Sequence, residues 1–381
     1  MAIQVLGAVI GAAIVLSTAW SVLVTLIVPR RVRSYIPRVV FIVNQSIFHF
    51  ITDKISSYER QDRVLAAQAP VQLIAQVVAW LALFLLGFGL LMWPFNGNGG
   101  FGSAMEQAGS SLCTLGYFVP HTSGVAALDA LAALCGLGTV AIQIGYLPTL
   151  YSAFNRREAL ITLLDSRAGV PSWGPELLAR THYGLGSGIS IVGELPELFE
   201  GWEAWSADVS ESHTTYVPLV WFRSPRPLSS WVTAQLAVLD AAALYLALLP
   251  NASGLVQARL CLRGGFTCLG NIARALRIPI PEDVDPSDGI SLSYEEFVEA
   301  VDRLRKVDFP IQRPIEDAWI DFLGWRVNYE AAAYALAWAV DAPPALWSGP
   351  RRREMEAIPP FRPSLGGKSK PISAGKSISS P

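Results

Sequence analysis

The sequence predicts an all-α membrane protein, with about three transmembrane helices and a re-entrant helix followed by a helical cytoplasmic domain. Hydrophobic residues make up 52% of its 381 residues and charged residues only 16%, which is little charge for a soluble globular protein. The charges are also unevenly distributed. Segments 1–29 and 64–105 contain no charged side chain, whereas acids and bases recur regularly after Arg156. A membrane region and an aqueous region are therefore predicted to meet near residue 155.

Three apolar stretches, roughly 4–28, 71–94 and 124–152, are each long enough to cross a bilayer, which takes about 20 residues. The first stretch has no basic residue before it and exceeds the length of a signal-peptide core, so we interpret it as a transmembrane helix. Lys and Arg occur throughout 30–70 and follow the third stretch, but 95–123 contains neither. Because basic loops remain in the cytoplasm, we expect a multi-pass protein of the cell membrane, with its N-terminus outside and its C-terminal domain cytoplasmic.

The linker between the first two stretches also contains apolar residues. The runs 39–43 and 47–48 are too short to span a bilayer, and basic residues surround them. A helix of this kind is typical of the membrane interface. We therefore predict a cytoplasmic, interfacial linker over 30–70.

The segment 100–120 has an unusual composition for a loop on the outer side. It is too apolar for an ordinary exposed loop, and it contains too many small residues for a full crossing. A re-entrant helix followed by an extended strand fits this pattern. Non-helical backbone at membrane depth is tolerated only where protein buries it or water lines it, so the segment is predicted to form a cavity or a conduction path.

The end of this segment, Thr114-Leu115-Gly116-Tyr117, resembles the Thr-Val-Gly-Tyr-Gly filter of the potassium channel family. With the helices on either side, residues 71–155 resemble that family's pore module: an outer helix, a re-entrant pore helix, a filter and an inner helix. The resemblance implies a homotetramer in which four loops direct backbone carbonyls at a dehydrated ion. It implies ion-conduction filter residues Thr114, Leu115, Gly116, Tyr117 and Phe118. The sequence departs from the family at Phe118, which occupies the place of the second filter glycine.

The third apolar stretch contains three glycines, Gly136, Gly138 and Gly145. Small residues permit close packing between transmembrane helices, and a glycine can also act as a bend. The three positions are therefore candidates for a gating hinge, with simple packing as the alternative. Asp129 is the one ionisable residue of this helix, and either an interior contact or exposure to outside water explains it.

The predicted divisions follow from these patterns. They are the first transmembrane helix (1–29), the linker (30–70), the channel-like pore module (71–155), a helical cytoplasmic domain (156–347) and a disordered tail (348–381). In the cytoplasmic domain, helices are predicted over 176–202, 228–249, 255–277, 292–306 and 314–340. Segment 231–249 approaches the hydrophobicity of a spanning helix, but inserting Asp240 at its centre would cost about 3 kcal/mol. We therefore predict that it is the buried central helix of the domain.

Several classes of function are excluded or disfavoured. A net charge of −2 gives no reason to expect nucleic-acid binding. The four cysteines and four histidines lack disulfide or metal-ligand spacing, so no metal site is predicted. No set of residues indicates a nucleophile, a base or a catalytic site, and the protein is predicted not to be an enzyme. No cofactor is predicted beyond a potassium ion in the pore.

Two functions therefore remain open. The first is a potassium-channel-like protein that conducts ions through a tetrameric pore lined by residues 110–118. The second is a non-conducting membrane sensor or scaffold whose helical domain binds a cytoplasmic protein partner. The expected partners are the lipid bilayer, three further copies of the chain in a homo-oligomer, and this cytoplasmic protein.

Overall fold

A computed structural model describes residues 2–28, 34–96, 100–120, 122–181, 191–281, 284–285 and 289–349. These residues form α-helices and short 3₁₀ turns, without strands, which confirms the predicted all-α class. The disordered tail predicted over 348–381 lies outside the described residues from position 350 onward. The helices are α1 (Ala2–Leu26), α2 (Tyr35–Thr52), α3 (Tyr58–Leu65), α4 (Gln68–Met92), α5 (Gly100–Leu112), α6 (Ser123–Ala168), α7 (Gly174–Thr181), α8 (Leu195–Thr215), α9 (Trp231–Leu248), α10 (Leu255–Leu276), α11 (Tyr294–Arg305), α12 (Ile315–Arg326) and α13 (Glu330–Ala339).

Four helical segments of the described chain are long and apolar enough to cross a membrane. They contain α1, α4, α6 and α9. The first three expose large apolar side chains along much of their length, as expected of helices that face lipid. In contrast, every residue of α9 is buried inside the protein. We therefore treat α1, α4 and α6 as the membrane-crossing helices and α9 as a core helix.

Small residues allow α1 and α4 to pack closely along the membrane region. A Cβ atom on Gly11 of α1 would lie 2.5 Å from the carbonyl oxygen of Gly87 of α4, closer than any side chain allows. One turn away, a Cβ atom on Gly7 would lie 3.0 Å from the Trp93 ring. Toward the other end, the Trp80 indole donates a hydrogen bond to Ser21 Oγ at 3.0 Å. Close backbone approach between small residues stabilises helix pairs in lipid, where no hydrophobic force drives them together.

Helix α9 is the centre of the C-terminal domain, as the sequence predicts. Its 18 residues are surrounded by α7, α10, α12 and α13. The central Asp240 is not left without a partner, because Arg326 of α12 and the Tyr329 hydroxyl both donate hydrogen bonds to its Oδ1. Hydrogen bonds to a buried charge offset the cost of taking it out of water.

Two of the predicted helices differ from the structure. The single helix predicted over 314–340 is two helices, α12 and α13, separated at residues 327–329. The break allows α12 to pack on α9 while α13 packs against α10. The helix predicted over 176–202 is broken by a 3₁₀ turn at Ile191–Glu194, after which α8 begins at Leu195; residues 182–190 lie outside the described residues. Apolar spacing does not reveal such breaks, because each short helix preserves the period by itself.

Helix α6 joins the membrane region to the C-terminal domain without interruption. Its 46 residues would extend about 69 Å at 1.5 Å per residue, more than twice the hydrocarbon thickness of a bilayer. At the level where α4 begins, a cluster of apolar side chains from α4, α6 and the segment 219–222 fills the junction; it contains Ala69, Leu73, Tyr146, Leu150, Ala153, Leu219 and Phe222. The start of α4 and the C-terminal domain therefore lie on the same side of the membrane.

Candidate functional site

A short helix and a non-helical segment lie between α4 and α6, where the sequence predicts a pore loop. Helix α5 has 13 residues, about 20 Å, which is too short to cross a bilayer of about 30 Å. It packs against both α4 and α6. On the α4 side, a Cβ atom on Gly89 would lie 2.3 Å from the Met105 sulfur, so this glycine permits the close contact.

The backbone after α5 alternates in handedness. Thr114 has φ of 55° and Gly116 has φ of 71°, whereas φ is not positive at Leu115, Tyr117 or Phe118. Positive φ is easily adopted by glycine but strained for threonine. Alternating backbone handedness turns successive N–H groups toward one side of the chain.

Ser110, near the end of α5, accepts the N–H groups of four consecutive residues. Its carbonyl oxygen accepts from the amides of Leu115 at 2.8 Å and Gly116 at 3.5 Å. Its side-chain oxygen accepts from the amides of Tyr117 at 3.1 Å and Phe118 at 3.4 Å. Ser110 itself is buried. The backbone N–H groups of residues 115–118 are therefore all held by a single residue, Ser110.

Within the part of the chain that the structure describes, no group donates a hydrogen bond to the carbonyl oxygens of residues 114–118. Two of the side chains, Leu115 and Tyr117, are more than 60% exposed although both are large and apolar. Exposed apolar side chains beside unpaired carbonyls are typical of a surface that another group covers.

Phe118 fits into this arrangement without disrupting it. Its side chain is half-buried, and its ring lies 5.9 Å from the ring of Tyr117 in an edge-to-face contact. The Tyr117 hydroxyl donates to the carbonyl oxygen of Glu106 at 3.3 Å. Phe118 therefore packs beside Tyr117 and donates its amide hydrogen to Ser110.

Asp129 of α6, which is half-buried, holds α5 in position through two hydrogen bonds. Its Oδ2 accepts from Gln107 Nε2 at 3.0 Å, and its Oδ1 accepts from Ser111 Oγ at 2.6 Å. Both donors lie on α5, and Gln107 is buried. The carboxylate connects α5 and α6 beside residues 114–118, which we call the filter-like segment.

The three glycines of α6 occupy different surroundings. A Cβ atom on Gly136 would lie 2.1 Å from the carbonyl oxygen of Leu112, so only glycine permits this contact between α6 and α5. Gly138 and Gly145 have nothing within 4 Å of a Cβ position among the described residues. Helix α6 continues through all three positions. Gly136 is therefore a packing residue, and the gating hinge stays a prediction for all three glycines.

An arginine connects α6 to the C-terminal domain beyond the membrane. The buried Arg157 donates to the carbonyl oxygens of Leu219 at 2.9 Å and Phe222 at 2.6 Å, and its Nη1 lies 3.0 Å from His213 Nε2. Burial, together with the neighbouring guanidinium, lowers the pKa of His213 well below its usual value. Movement of α6 would therefore be transmitted directly to α8 and to the segment 219–222.

Sequence reasoning missed Ser110 and Gln107 as members of this site. Both are polar residues within a mostly apolar 21-residue segment, and this is the signal that could have identified them. A buried polar side chain at membrane depth needs a partner, so such residues mark internal contacts. Their partners lie 5 to 22 positions away, which the sequence alone does not specify.

No known protein family, curated protein or solved structure matches this chain. In the described ranges, no group of three or more His, Cys, Asp and Glu side chains is arranged to hold a metal ion.

The side-chain contacts of Ser110 should protect the amides of Tyr117 and Phe118 from hydrogen exchange. In Ser110→Ala, the amides of Tyr117 and Phe118 lose their acceptor, so their hydrogen exchange should accelerate about 2–12-fold, which corresponds to the usual net contribution of one hydrogen bond. The amides of Leu115 and Gly116 keep the Ser110 carbonyl and should change less. Exchange measured by mass spectrometry on the full chain in detergent tests this. Ser123→Ala, an exposed serine at the start of α6, is the control and should change none of the four amides.

Proposed function

We propose that this chain is a potassium-channel-like integral membrane protein, which conducts ions through a homotetrameric pore lined by residues 110–118. One observation supports the proposal above the others. Four successive N–H groups, those of residues 115–118, donate hydrogen bonds to Ser110. The carbonyl oxygens of the same residues accept no hydrogen bond from the described residues, which leaves them free to coordinate an ion. Rings of backbone carbonyls are how potassium-selective filters replace the hydration shell of the ion.

The surroundings of the segment support a tetramer. One chain supplies a single loop, and a single loop does not enclose an ion. In one copy, Leu115, Tyr117 and the α6 residues Leu134, Leu137 and Ile144 are all exposed. In a fourfold assembly, the loops would meet at the axis and the exposed face of α6 would pack against neighbouring copies. We place the N-terminus outside the cell and the C-terminal domain in the cytoplasm, following the distribution of basic residues.

The second candidate function is a non-conducting sensor or scaffold that uses the C-terminal domain to bind a partner. Two observations favour it. Phe118 adds a ring where the potassium channel family has a glycine, and Arg157 connects α6 rigidly to the domain. In this second function the loop would keep its fold without conducting.

Ion flux into liposomes distinguishes the two functions. Purified protein should carry potassium down its gradient in preference to sodium, and Gly116→Asp should abolish this flux. The aspartate would occupy a position with φ of 71° and place a carboxylate beside the carbonyl ring. Gly124→Asp is the matched control: Gly124 lies in the first turn of α6, has open space around it, and an acid is favourable there. Flux through this control should equal that of the unmodified chain.

Each contrary result has a definite meaning. If no gradient produces flux, the protein does not conduct and the sensor or scaffold function replaces the channel. If Gly116→Asp conducts normally, the path does not pass through residues 114–118. A monomer in lipid nanodiscs, measured by native mass spectrometry, would also overturn the proposed pore.

A further inference from the structure

Helix α2 exposes apolar side chains and buries polar ones, which is the reverse of a surface helix in a soluble protein. Its buried residues are Asn44, Phe48 and Thr52, of which two are polar. Its exposed face is mostly apolar and follows the helical period; it consists of Tyr35, Val39, Ile42, Val43, Ile47, Phe50 and Ile51. We call these seven residues the apolar face of α2. In water such a surface would be costly, so an apolar environment must cover it.

Two polar contacts place α2 beside the first part of α4. Ser34, just before α2, lies 2.6 Å from Ser21 of α1, at the level of Trp80 of α4. Ten residues later, Asn44 donates to the carbonyl oxygen of Gln68, the first residue of α4, at 3.1 Å. Helix α2 therefore descends along α4, from the level of Trp80 to the beginning of α4.

The neighbouring surface of α4 at this level is also apolar and exposed. Ile74 and Val78 lie between Gln68 and Trp80, and both are exposed. Because α4 crosses the membrane, lipid surrounds these side chains. The first part of the apolar face, from Tyr35 to Val43, lies within the same range of depth, and Ile47, Phe50 and Ile51 extend beyond the beginning of α4.

Basic residues accompany the apolar face. Arg38 is exposed within α2, and Lys54 follows the helix with its ammonium 4.0 Å from the centre of the Phe50 ring. Arg60 and Arg63 are exposed on α3. Two facing copies of α2 would bring these positive charges together, whereas anionic headgroups would neutralise them.

The opposite side of the α2–α3 hairpin is already bound to the C-terminal domain. Arg223 pairs with Asp62 of α3, and it donates to the Tyr58 hydroxyl at 2.8 Å and to the carbonyl oxygen of Val340 at 2.8 Å. The Tyr58 hydroxyl in turn donates to the carbonyl oxygen of Asp341 at 2.9 Å. These contacts fix the orientation of the hairpin, so the apolar face cannot turn inward.

We propose that the apolar face of α2 is a phospholipid-binding surface in the membrane leaflet on the side of the C-terminal domain. Acyl chains cover the face from Tyr35 to Val43, and headgroups cover Ile47, Phe50 and Ile51 beyond the beginning of α4. Lys54 binds anionic headgroups at that end, and the long side chain of Arg38 reaches toward them. Because Arg223 connects α3 to residues 340–341, the bound lipid also holds the C-terminal domain against the membrane. This inference does not depend on ion conduction.

Photocrosslinking in vesicles tests the occupant of this face. The photoreactive residue p-benzoylphenylalanine replaces Val43 in the full chain, which is reconstituted into equal amounts of phosphatidylcholine and phosphatidylglycerol and irradiated. We expect a mass increase of one phospholipid. The same residue in place of Ile74, on the exposed surface of α4, is the positive control. In place of Glu299, exposed on α11, it should give no lipid adduct.

Other outcomes overturn the proposal. A crosslink between two copies at position 43 would make the face a subunit contact. Absence of any adduct at 43, while position 74 is labelled, would show that lipid does not reach it. Phosphatidylglycerol should exceed phosphatidylcholine among the adducts about fivefold, and Arg38→Gln with Lys54→Gln should remove this preference. Equal labelling in the unmodified background would overturn the binding of anionic headgroups.

Discussion

Arg326→Met should lower the free energy of unfolding of the full chain by about 3–5 kcal/mol. Arg326 is completely buried, and its guanidinium pairs with Asp240 of α9 and with Glu330 of α13. It also donates to the carbonyl oxygen of Trp347 at 2.7 Å. Methionine fills a similar volume but leaves two buried carboxylates without a cation. Such an uncompensated buried charge is among the most destabilising changes that a single substitution makes.

The measurement is a denaturant titration of the full chain in detergent, followed by tryptophan fluorescence, which reports mainly on the Trp-rich C-terminal domain. Arg305→Met is the matched control. Arg305 pairs with Asp302 on the surface at 2.9 Å, and both side chains are about half exposed. Exposed pairs of this kind contribute about 0–1 kcal/mol, so the control should change little. Equal losses in the two variants would contradict the stabilising role of the buried network.

The loss of unfolding free energy in Arg326→Met should depend on pH. Burial raises the pKa of Asp240 from 3.8 to about 6 in the folded protein, although Arg326 opposes the shift. The folded state therefore binds this proton more tightly than the unfolded state. This tighter proton binding by Asp240 stabilises the folded state fully below pH 3.8, and the stabilisation is lost as pH rises through about 6. Without Arg326 the pKa of Asp240 should rise further, so the deficit of Arg326→Met should be smaller at about pH 5 than at about pH 7.5.

Gly136→Val should destabilise the membrane region by about 3 kcal/mol, at the upper end of the usual cost of overpacking. The Cβ atom would lie 2.1 Å from the carbonyl oxygen of Leu112, which is backbone and has no rotamer to adopt. Helix α5 would have to move away from α6. This movement would stretch the hydrogen bonds from Gln107 and Ser111 to Asp129 and displace the filter-like segment. We therefore expect Gly136→Val to lose ion flux as well as stability.

Gly138→Val provides the matched control, because it adds the same side chain two residues away on the same helix. Nothing lies within 4 Å of its Cβ position among the residues described, so it should fold with nearly unchanged stability in detergent. Flux through this variant also tests the hinge prediction. A bend at Gly138 would make flux sensitive to valine despite normal stability. Equal destabilisation at positions 136 and 138 would contradict the packing of α5 against α6.

The sequence predicted the helical elements that build the candidate site, but only some of the residues that complete it. The tetrapeptide 114–117 and the short helix before it were identified from composition and from a family resemblance. Asp129 was noted because a lone acid in an apolar helix is conspicuous. The role of Ser110 was not identified, because a polar side chain in an apolar segment indicates an internal contact but does not specify which amides it binds.

Several features follow from the sequence by itself. The positions of α1, α4 and α6, the low charge of the membrane region and the core position of α9 are all visible along the chain. Hydrophobicity and charge are properties of a continuous stretch of residues. The free energy of moving such a stretch between water and lipid does not depend on contacts with distant parts of the chain. Asp240 is the clearest case, because one acid at the centre of an apolar stretch was enough to predict a protein core instead of a membrane.

Only the tertiary structure decided which residues meet. The partner of Asp240 is Arg326, 86 positions later, and the residue that requires glycine at 136 is Leu112 of another helix. Gly136 and Gly138 are equivalent in sequence, yet one packs against backbone and the other has open space. The exposed apolar face of α2 likewise gains meaning only from its position beside α4. Packing and hydrogen bonding join residues that are distant along the chain, so their consequences become visible only in three dimensions.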